Sequence, residues 1–130
     1  MSKLSWKHRG LDVYEVDGQE WAVGTAQQAN RAAREEILDS LWAFNSSFLA
    51  RFIGLTNEEE KALRKMQEEM SEGANSIVRR MVGERNLNHL VEEAINADGR
   101  GHFLASYDSE EHESDEIEGL PRGKFAYRIN

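Results

Sequence analysis

The chain has 130 residues, of which 24 are acidic and 16 basic, giving a formal net charge of −8 at neutral pH. It has no cysteine, which excludes disulfides, cysteine-ligated metals and thiol nucleophiles, and its negative charge argues against direct binding to nucleic acid or anionic lipid. Hydrophobic residues make up 39%, enough for one core, so we predict a single domain over residues 1–130.

Residues 11–24 predict a β-hairpin, because Asp17-Gly18 is a favoured two-residue turn between two alternating segments. In that register Tyr14 lies opposite Trp21 on one face, and Glu15 lies opposite Glu20 on the other. A carboxylate pair at Glu15 and Glu20 is typical of a solvent-exposed face, so we do not assign it a metal.

Two helices are predicted after the hairpin. Thr25 and Gln28 form a capping-box pattern that starts the first helix at Ala26. Polar residues 45–47 then interrupt the apolar pattern, and a second, short helix is expected to end before Gly54, a residue suited to a left-handed cap.

The next apolar stripe predicts one long helix over residues 57–82, with a kink or close crossing at Gly73. Asn86 is expected to cap a fourth helix. We interpret the methionines of the stripe (Met66, Met70 and Met81) as core residues, with an adaptable binding face as the alternative.

The chain closes with KFAYRIN (124–130), whose alternation predicts a strand. A lone hairpin is marginally stable, so this strand is expected to join the hairpin, and HFLASY (102–107) is a candidate fourth strand. The predicted fold class is therefore α+β. An N-terminal β-hairpin and a C-terminal strand form a small antiparallel sheet that packs against three to four α-helices.

The charge of the chain is concentrated in residues 108–118, which we call the acidic segment. Its sequence, DSEEHESDEIE, has seven carboxylates and no lysine or arginine, so the other residues sum to only −1. Burying unpaired carboxylates is costly, so we predict that residues 108–122 form an acidic loop that faces water or a cationic partner. Nothing in its sequence requires this loop to be rigid. The predicted partner-binding residues are Asp108, Glu110, Glu111, Glu113, Asp115, Glu116 and Glu118.

A second candidate site lies in the sequence DGRGH (98–102). Asp98, Arg100 and His102 are a candidate ligand site, in which the glycines let backbone approach a ligand and Arg100 holds a phosphate or carboxylate. The same residues also fit a simple helix end and turn. The spacing matches neither the phosphate-binding loop nor the dinucleotide fingerprint.

No cofactor or metal is predicted. The acidic segment fails the calcium-loop template, because Glu113 stands where glycine is required and Gly119 stands where the bidentate glutamate belongs. The histidines lack paired zinc-ligand spacing, although loose divalent binding to the acidic segment stays open. We therefore predict a protein that is not an enzyme.

Three motifs together resemble a group of small uncharacterised proteins encoded by tailed bacteriophages. These motifs are SLWAFN (40–45), ADGRGHFLASYD (97–108) followed by acidic residues, and the terminal YRIN (127–130). The resemblance implies a phage accessory protein that works in the bacterial cytoplasm.

These observations give two functional hypotheses. The first is a protein that uses its acidic segment to bind a basic surface of a host protein, either a nucleic-acid-handling or a defence protein, by imitating a phosphate backbone. The alternative is a small-ligand or metal-dependent hydrolytic site around DGRGH. No apolar run reaches the roughly 18 residues of a membrane span, so no membrane partner is predicted, whereas a homo-oligomer is compatible with the sequence.

Overall fold

Five strands form one antiparallel sheet in the computed structural model, which describes all 130 residues. In chain order they are β1 (Ser2–His8), β2 (Leu11–Val16), β3 (Gln19–Gly24), β4 (His112–Glu113) and β5 (Phe125–Arg128). Across the sheet the order is β1-β2-β3-β5-β4. The predicted hairpin is β2–β3, and the predicted C-terminal strand β5 pairs with β3, so the α+β fold class is confirmed.

The register of the hairpin is also confirmed: Tyr14 pairs with Trp21, and Glu15 pairs with Glu20. Strand β1 is an addition that the sequence did not predict. It joins β2 through Arg9-Gly10, where both residues have positive φ, as Asp17 and Gly18 do in the predicted turn.

Six α-helices are present where the sequence predicted three to four. They are α1 (Ala26–Asp39), α2 (Ser46–Ile53), α3 (Asn57–Met70), α4 (Asn75–Val82), α5 (Glu84–Asp98) and α6 (Arg100–Leu104). The start of α1 at Ala26 and the left-handed Gly54 after α2 agree with the predictions. The candidate strand HFLASY is wrong, because its first three residues belong to α6.

The predicted long helix is broken. Ser71–Ala74 form a 3-10 turn between α3 and α4, and Ser71 has a φ of 49°, a value that an α-helix does not accommodate. The predicted cap at Asn86 is also wrong, because α5 begins at Glu84, directly after Gly83. Asn86 instead donates a side-chain hydrogen bond to the carbonyl of Phe52.

The chain folds into two compact units. The first unit comprises Met1–Glu36 and Ala94–Asn130, and the second comprises Ile37–Glu93. Both boundaries fall inside helices, one in α1 and one in α5. No helix of the chain is both long enough and apolar enough to cross a membrane.

In the first unit, apolar side chains pack on both faces of the sheet. One cluster consists of Leu11, Ala22, Ala29, Ala32, Ala33, Leu104, Ala105 and Tyr127. The other consists of Tyr14, Trp21, Val23, Leu120 and Ala126, with Val16 and Ile117 against it. Successive residues of β3 alternate between the two clusters, as a pleated strand requires. Ile117 belongs to the acidic segment, so that segment helps to cover the second face.

In the second unit, two amides that the sequence did not single out hold the backbone together. Gln67, only 8% exposed, donates from Nε2 to the carbonyls of Trp42 and Phe44 at 3.0 and 2.8 Å. Asn75 accepts from the N–H of Trp42 at 3.1 Å and donates to the carbonyl of Leu38 at 2.8 Å. These bonds satisfy backbone groups that lie outside regular hydrogen-bond ladders.

The methionine stripe is only partly core. Leu63, Ala74 and Val78 are buried, whereas Met70 and Met81 are 44% and 38% exposed. The interpretation of these two methionines as core residues is therefore wrong, because the break at residues 71–74 ends the single helical stripe on which it rested.

We expect Asn75→Ala to lower the free energy of unfolding by about 1–3 kcal/mol, because it leaves the Trp42 N–H and the Leu38 carbonyl without partners. Urea denaturation followed by circular dichroism measures the change. Ser76→Ala, one residue along and exposed, is the control and should stay within about 0.5 kcal/mol of the parent. Equal effects of the two substitutions would contradict this role for Asn75.

Candidate functional site

The backbone of the acidic segment is fixed to strand β5. His112 and Glu113 form β4 and pair with Ala126 and Phe125. The next residue, Ser114, is fully buried; its N–H donates to the carbonyl of Lys124 at 2.8 Å, and its Oγ accepts from the N–H of Lys124 at 3.0 Å. The segment predicted as a loop thus contains a strand and a 3-10 turn, Ser114–Glu116.

Further along, Asp115 fastens the acidic segment to the chain that returns toward β5. Its Oδ1 accepts a hydrogen bond from the N–H of Gly123 at 2.7 Å, while the residue stays exposed. One of its carboxylate oxygens therefore serves the fold, and the negative charge remains at the surface.

Arg100 anchors the segment from the opposite side. Its Nη2 lies 2.5 Å from Glu111 Oε1, and its side chain is only 15% exposed. Its Nη1 also donates to the carbonyl of Ala26 and to Asn30 Oδ1, at 3.1 and 3.2 Å. The guanidinium lies 4.7 Å from the centre of the Phe125 ring. Arg100 thereby connects α6, the start of α1, β5 and the acidic segment.

Tyr127 shares the same carboxylate. The Tyr127 side chain is fully buried, and its hydroxyl donates to Glu111 Oε1 at 2.5 Å. Burial raises the pKa of Tyr127 well above its usual range, and the hydrogen bond and negative charge of Glu111 raise it further. The phenol therefore stays protonated and remains a donor. Because one oxygen of Glu111 contacts both Arg100 and Tyr127, we interpret Glu111 as a structural residue of the fold.

Asp108 is the second carboxylate that is paired within the chain. Its Oδ2 lies 3.1 Å from His112 Nε2, and its Oδ1 accepts from the N–H of Glu110 at 3.1 Å. Burial by itself would raise the pKa of Asp108, but these hydrogen bonds and the charge on His112 outweigh it and lower the pKa. Asp108 is therefore held in its ionised form by its own neighbours.

The other predicted partner-binding residues point into solvent. The side chains of Glu110 and Glu116 are 70% and 61% exposed, and Glu113, Asp115 and Glu118 are also exposed. The structure thus separates the seven carboxylates into two whose side chains are partly buried, Asp108 and Glu111, and five whose side chains are exposed. Among these five, Asp115 also accepts from the Gly123 N–H, and Glu110 and Glu116 lie 4.0 and 3.9 Å from His112. Sequence alone offers no basis for this separation, because all seven look alike in a charge run.

The DGRGH residues occupy separate places. Asp98 ends α5 and is exposed, Gly99 with φ 84° separates the two helices, and Arg100 begins α6. The contacts of Arg100 run to Glu111 and α1, and the exposed ring of His102 packs edge-on against Phe103. The contacts of Arg100 and of His102 are thus with residues outside this candidate ligand site.

Gly101 allows a close backbone approach, but the approaching group is not a ligand. The sequence predicts that the glycines let backbone meet a bound molecule, whereas the backbone that approaches Gly101 is that of the acidic segment. A Cβ at position 101 would lie 2.5 Å from the carbonyl carbon of Glu110 and 2.6 Å from the nitrogen of Glu111. The α6 helix and the acidic segment are thus in direct backbone contact.

Comparison of the chain with protein-family models, curated proteins and solved structures found no match. What the acidic segment can do must therefore follow from its own chemistry. It presents a fixed row of carboxylates that can bind cations, whether on another protein or as metal ions.

We expect Gly101→Ala to destabilise the protein by about 1–3 kcal/mol, because the added methyl group collides with backbone that cannot rotate away. Glycine-to-alanine changes in helices normally stabilise, so the sign of the change is informative. Gly73→Ala is the matched control, since its Cβ would meet only Met70 side-chain atoms at 3.8–3.9 Å. A Gly101→Ala variant as stable as the parent in urea would contradict the close contact.

We expect Tyr127 to remain protonated about one pH unit above the ordinary tyrosine pKa of roughly 10. Because its folded-state pKa is raised, its contribution to stability is complete below the unfolded value and is lost as the pH rises through the folded value. Absorbance at 295 nm follows the ionisation of the three tyrosines. Tyr127→Phe should leave this titration unchanged up to about pH 11; a loss of roughly one third of the amplitude would show that Tyr127 ionises normally.

Proposed function

We propose that this protein is a small interaction protein without enzymatic activity, which binds a cationic surface of another protein through the exposed carboxylates of its acidic segment. The single observation that carries the proposal is the combination of a fixed backbone with exposed side chains. Ser114, Asp115 and Glu111 hold the segment in place, while Glu110, Glu113, Glu116 and Glu118 extend into solvent.

A fixed acidic surface is better suited to binding than a disordered acidic tail. Its backbone is already ordered, so association does not carry that part of the conformational entropy cost. Clustered charge also speeds the encounter with an oppositely charged partner, especially at low ionic strength. Since nearly all the net charge lies in residues 108–118, the field of the protein favours approach through this surface.

The chemistry of the partner follows from that of the surface. A row of carboxylates resembles the phosphate backbone of a nucleic acid, and lysine- and arginine-rich surfaces that bind phosphates also bind carboxylates. We therefore propose a nucleic-acid-handling or defence protein of a bacterial host as the partner. The resemblance to phage accessory proteins supports this choice, and we propose the host cytoplasm as the place of the interaction. A hydrolytic site at DGRGH is not favoured, because Arg100 is already engaged by Glu111.

The test replaces Glu113, Glu116 and Glu118 together by glutamine, which keeps their size and removes their charge. The control replaces the exposed Glu58, Glu69 and Glu72 of the second unit in the same way, so that the two variants have equal net charge. Each tagged protein is used to capture partners from a bacterial lysate, and the captured proteins are quantified by mass spectrometry.

We expect one partner to bind the parent and the control alike, and to bind the acidic-segment variant roughly 3- to 100-fold more weakly, since each exposed ion pair contributes about 0.2–1 kcal/mol. Raising the ionic strength should release it. The proposal is wrong if the partner binds the acidic-segment variant and the parent equally.

A further inference from the structure

Asp108, Glu110 and His112 bring three metal-ligating side chains together at the surface of the acidic segment. One ligand atom from each lies within 4.8 Å of the others. His112 Nε2 is 3.1 Å from Asp108 Oδ2 and 4.0 Å from Glu110 Oε2. We propose that these residues bind a divalent first-row transition-metal ion. This property is separate from partner binding. The sequence predicted no metal, although it left loose divalent binding to the acidic segment open.

The distances suit a single ion. Metal–ligand bonds to histidine nitrogen and carboxylate oxygen are roughly 2.0–2.2 Å long, so two ligands of one ion lie about 3–4.4 Å apart. The observed separations of 3.1 and 4.0 Å fall in this range. Closure onto an ion therefore needs only side-chain rotation, and Glu110 is exposed enough to make it.

The histidine selects the class of ion. An imidazole nitrogen with two carboxylates is a ligand set suited to ions such as Zn²⁺, Co²⁺ and Mn²⁺, whereas Ca²⁺ and Mg²⁺ prefer oxygen alone. The other ring nitrogen, Nδ1, lies 3.9 Å from Glu116 Oε2. A metal-binding histidine usually donates its other ring N–H to a carboxylate, and rotation of the exposed Glu116 side chain would bring its oxygen within hydrogen-bond distance of Nδ1. Nε2 is then the nitrogen left for the ion.

A second observation, outside the ligand cluster, lies in the neighbouring indole. Trp21 is 5% exposed, and its Nε1 is buried without a hydrogen-bond partner. Its ring meets the His112 ring nearly perpendicularly, with the centres 5.4 Å apart. A buried N–H without an acceptor is unfavourable. A water molecule completing the coordination sphere of an ion held by His112 would bring an oxygen acceptor into the neighbourhood of this donor.

The backbone around the cluster is already ordered. Asp108 accepts from the Glu110 N–H, Glu110 lies against Gly101, and His112 is paired with Ala126 in the sheet. An ion bound here would join the turn before β4 to β4 itself. It would also neutralise part of the acidic segment without involving Glu113 or Glu118, which lie outside the ligand set.

The experiment titrates the full-length, tag-free protein with Zn²⁺ by isothermal calorimetry after chelator treatment, with no partner present. Co²⁺ and Ca²⁺ are titrated in parallel. The visible d–d absorption of Co²⁺ reports nitrogen and oxygen coordination, and Ca²⁺ is an ion that prefers oxygen ligands alone. The variants are His112→Gln and Glu110→Gln. Glu113→Gln is the matched control: it removes one charge from the same strand, but its side chain points to the opposite face from that of His112.

We expect one Zn²⁺ per chain, with affinity at least about 10-fold weaker in His112→Gln and in Glu110→Gln, since even an outer-sphere partner contributes roughly 10- to 100-fold. Glu113→Gln should bind like the parent. The Co²⁺ bands should disappear in His112→Gln, and circular dichroism in chelator checks that each variant is folded.

Three results would overturn the proposal. The first is the absence of one-to-one binding by the parent. The second is an affinity that falls as much in Glu113→Gln as in Glu110→Gln, which would indicate attraction to the acidic field alone. The third is Ca²⁺ binding as tightly as Zn²⁺, with His112→Gln unchanged. Because no partner takes part, failure here leaves the proposed interaction untouched, and the reverse also holds.

Discussion

The structure of the first unit depends on one shared carboxylate. One oxygen of Glu111, Oε1, forms an ion pair with Arg100 and accepts a hydrogen bond from the Tyr127 hydroxyl. Glu111 belongs to the acidic segment, Arg100 to α6 and Tyr127 to β5. Because Tyr127 is fully buried, its hydroxyl needs an acceptor from the protein. The acidic segment supplies it. The acidic segment, which its composition predicts to face solvent, is therefore held in place by a hydrogen bond from a buried tyrosine.

This constraint changes the meaning of the charge run. Residues 108–118 supply Ile117 to one face of the sheet, β4 to its edge, and Glu111 to the partly buried network. The carboxylates that remain exposed are consequently displayed from an ordered backbone. A solubilising acidic loop needs none of these attachments, since charge in a disordered segment keeps a protein soluble equally well. The ordered backbone of the acidic segment therefore favours a role in binding over a role in solubility alone.

The sequence predicted well those features whose signals are local. The Asp17-Gly18 turn and the alternation around it are enough to determine the pairing of Tyr14 with Trp21. The hydrogen bonds between Thr25 and Gln28 that start α1 follow equally from residues three positions apart.

By contrast, the features that the sequence did not predict depend on long-range contacts or on weak patterns. Strand β1 is mostly exposed, and only Leu4 and Trp6 alternate with polar residues in it, so the period-two pattern is too short to be a strong strand signal. Glu111 differs from its neighbours in the charge run only because Arg100 and Tyr127, distant in sequence, reach it. The break at Ser71 rests on a backbone conformation that apolar periodicity does not encode.

The position of the acidic segment also bears on how the sheet avoids associating with itself. Strand β4 has only two residues and forms one edge of the sheet, and an edge strand presents unpaired backbone groups to other chains. A short edge surrounded by Glu110, Glu113 and Glu116 repels the same edge of a second copy. The opposite edge, β1, carries Lys3 and Lys7, whose ammonium groups lie 3.4 and 3.6 Å from the single carboxylate of Asp12, so that one of the two positive charges is offset within the chain. Like charges thus disfavour pairing of two copies through β4, which leaves the exposed carboxylates beside that edge accessible to a cationic surface.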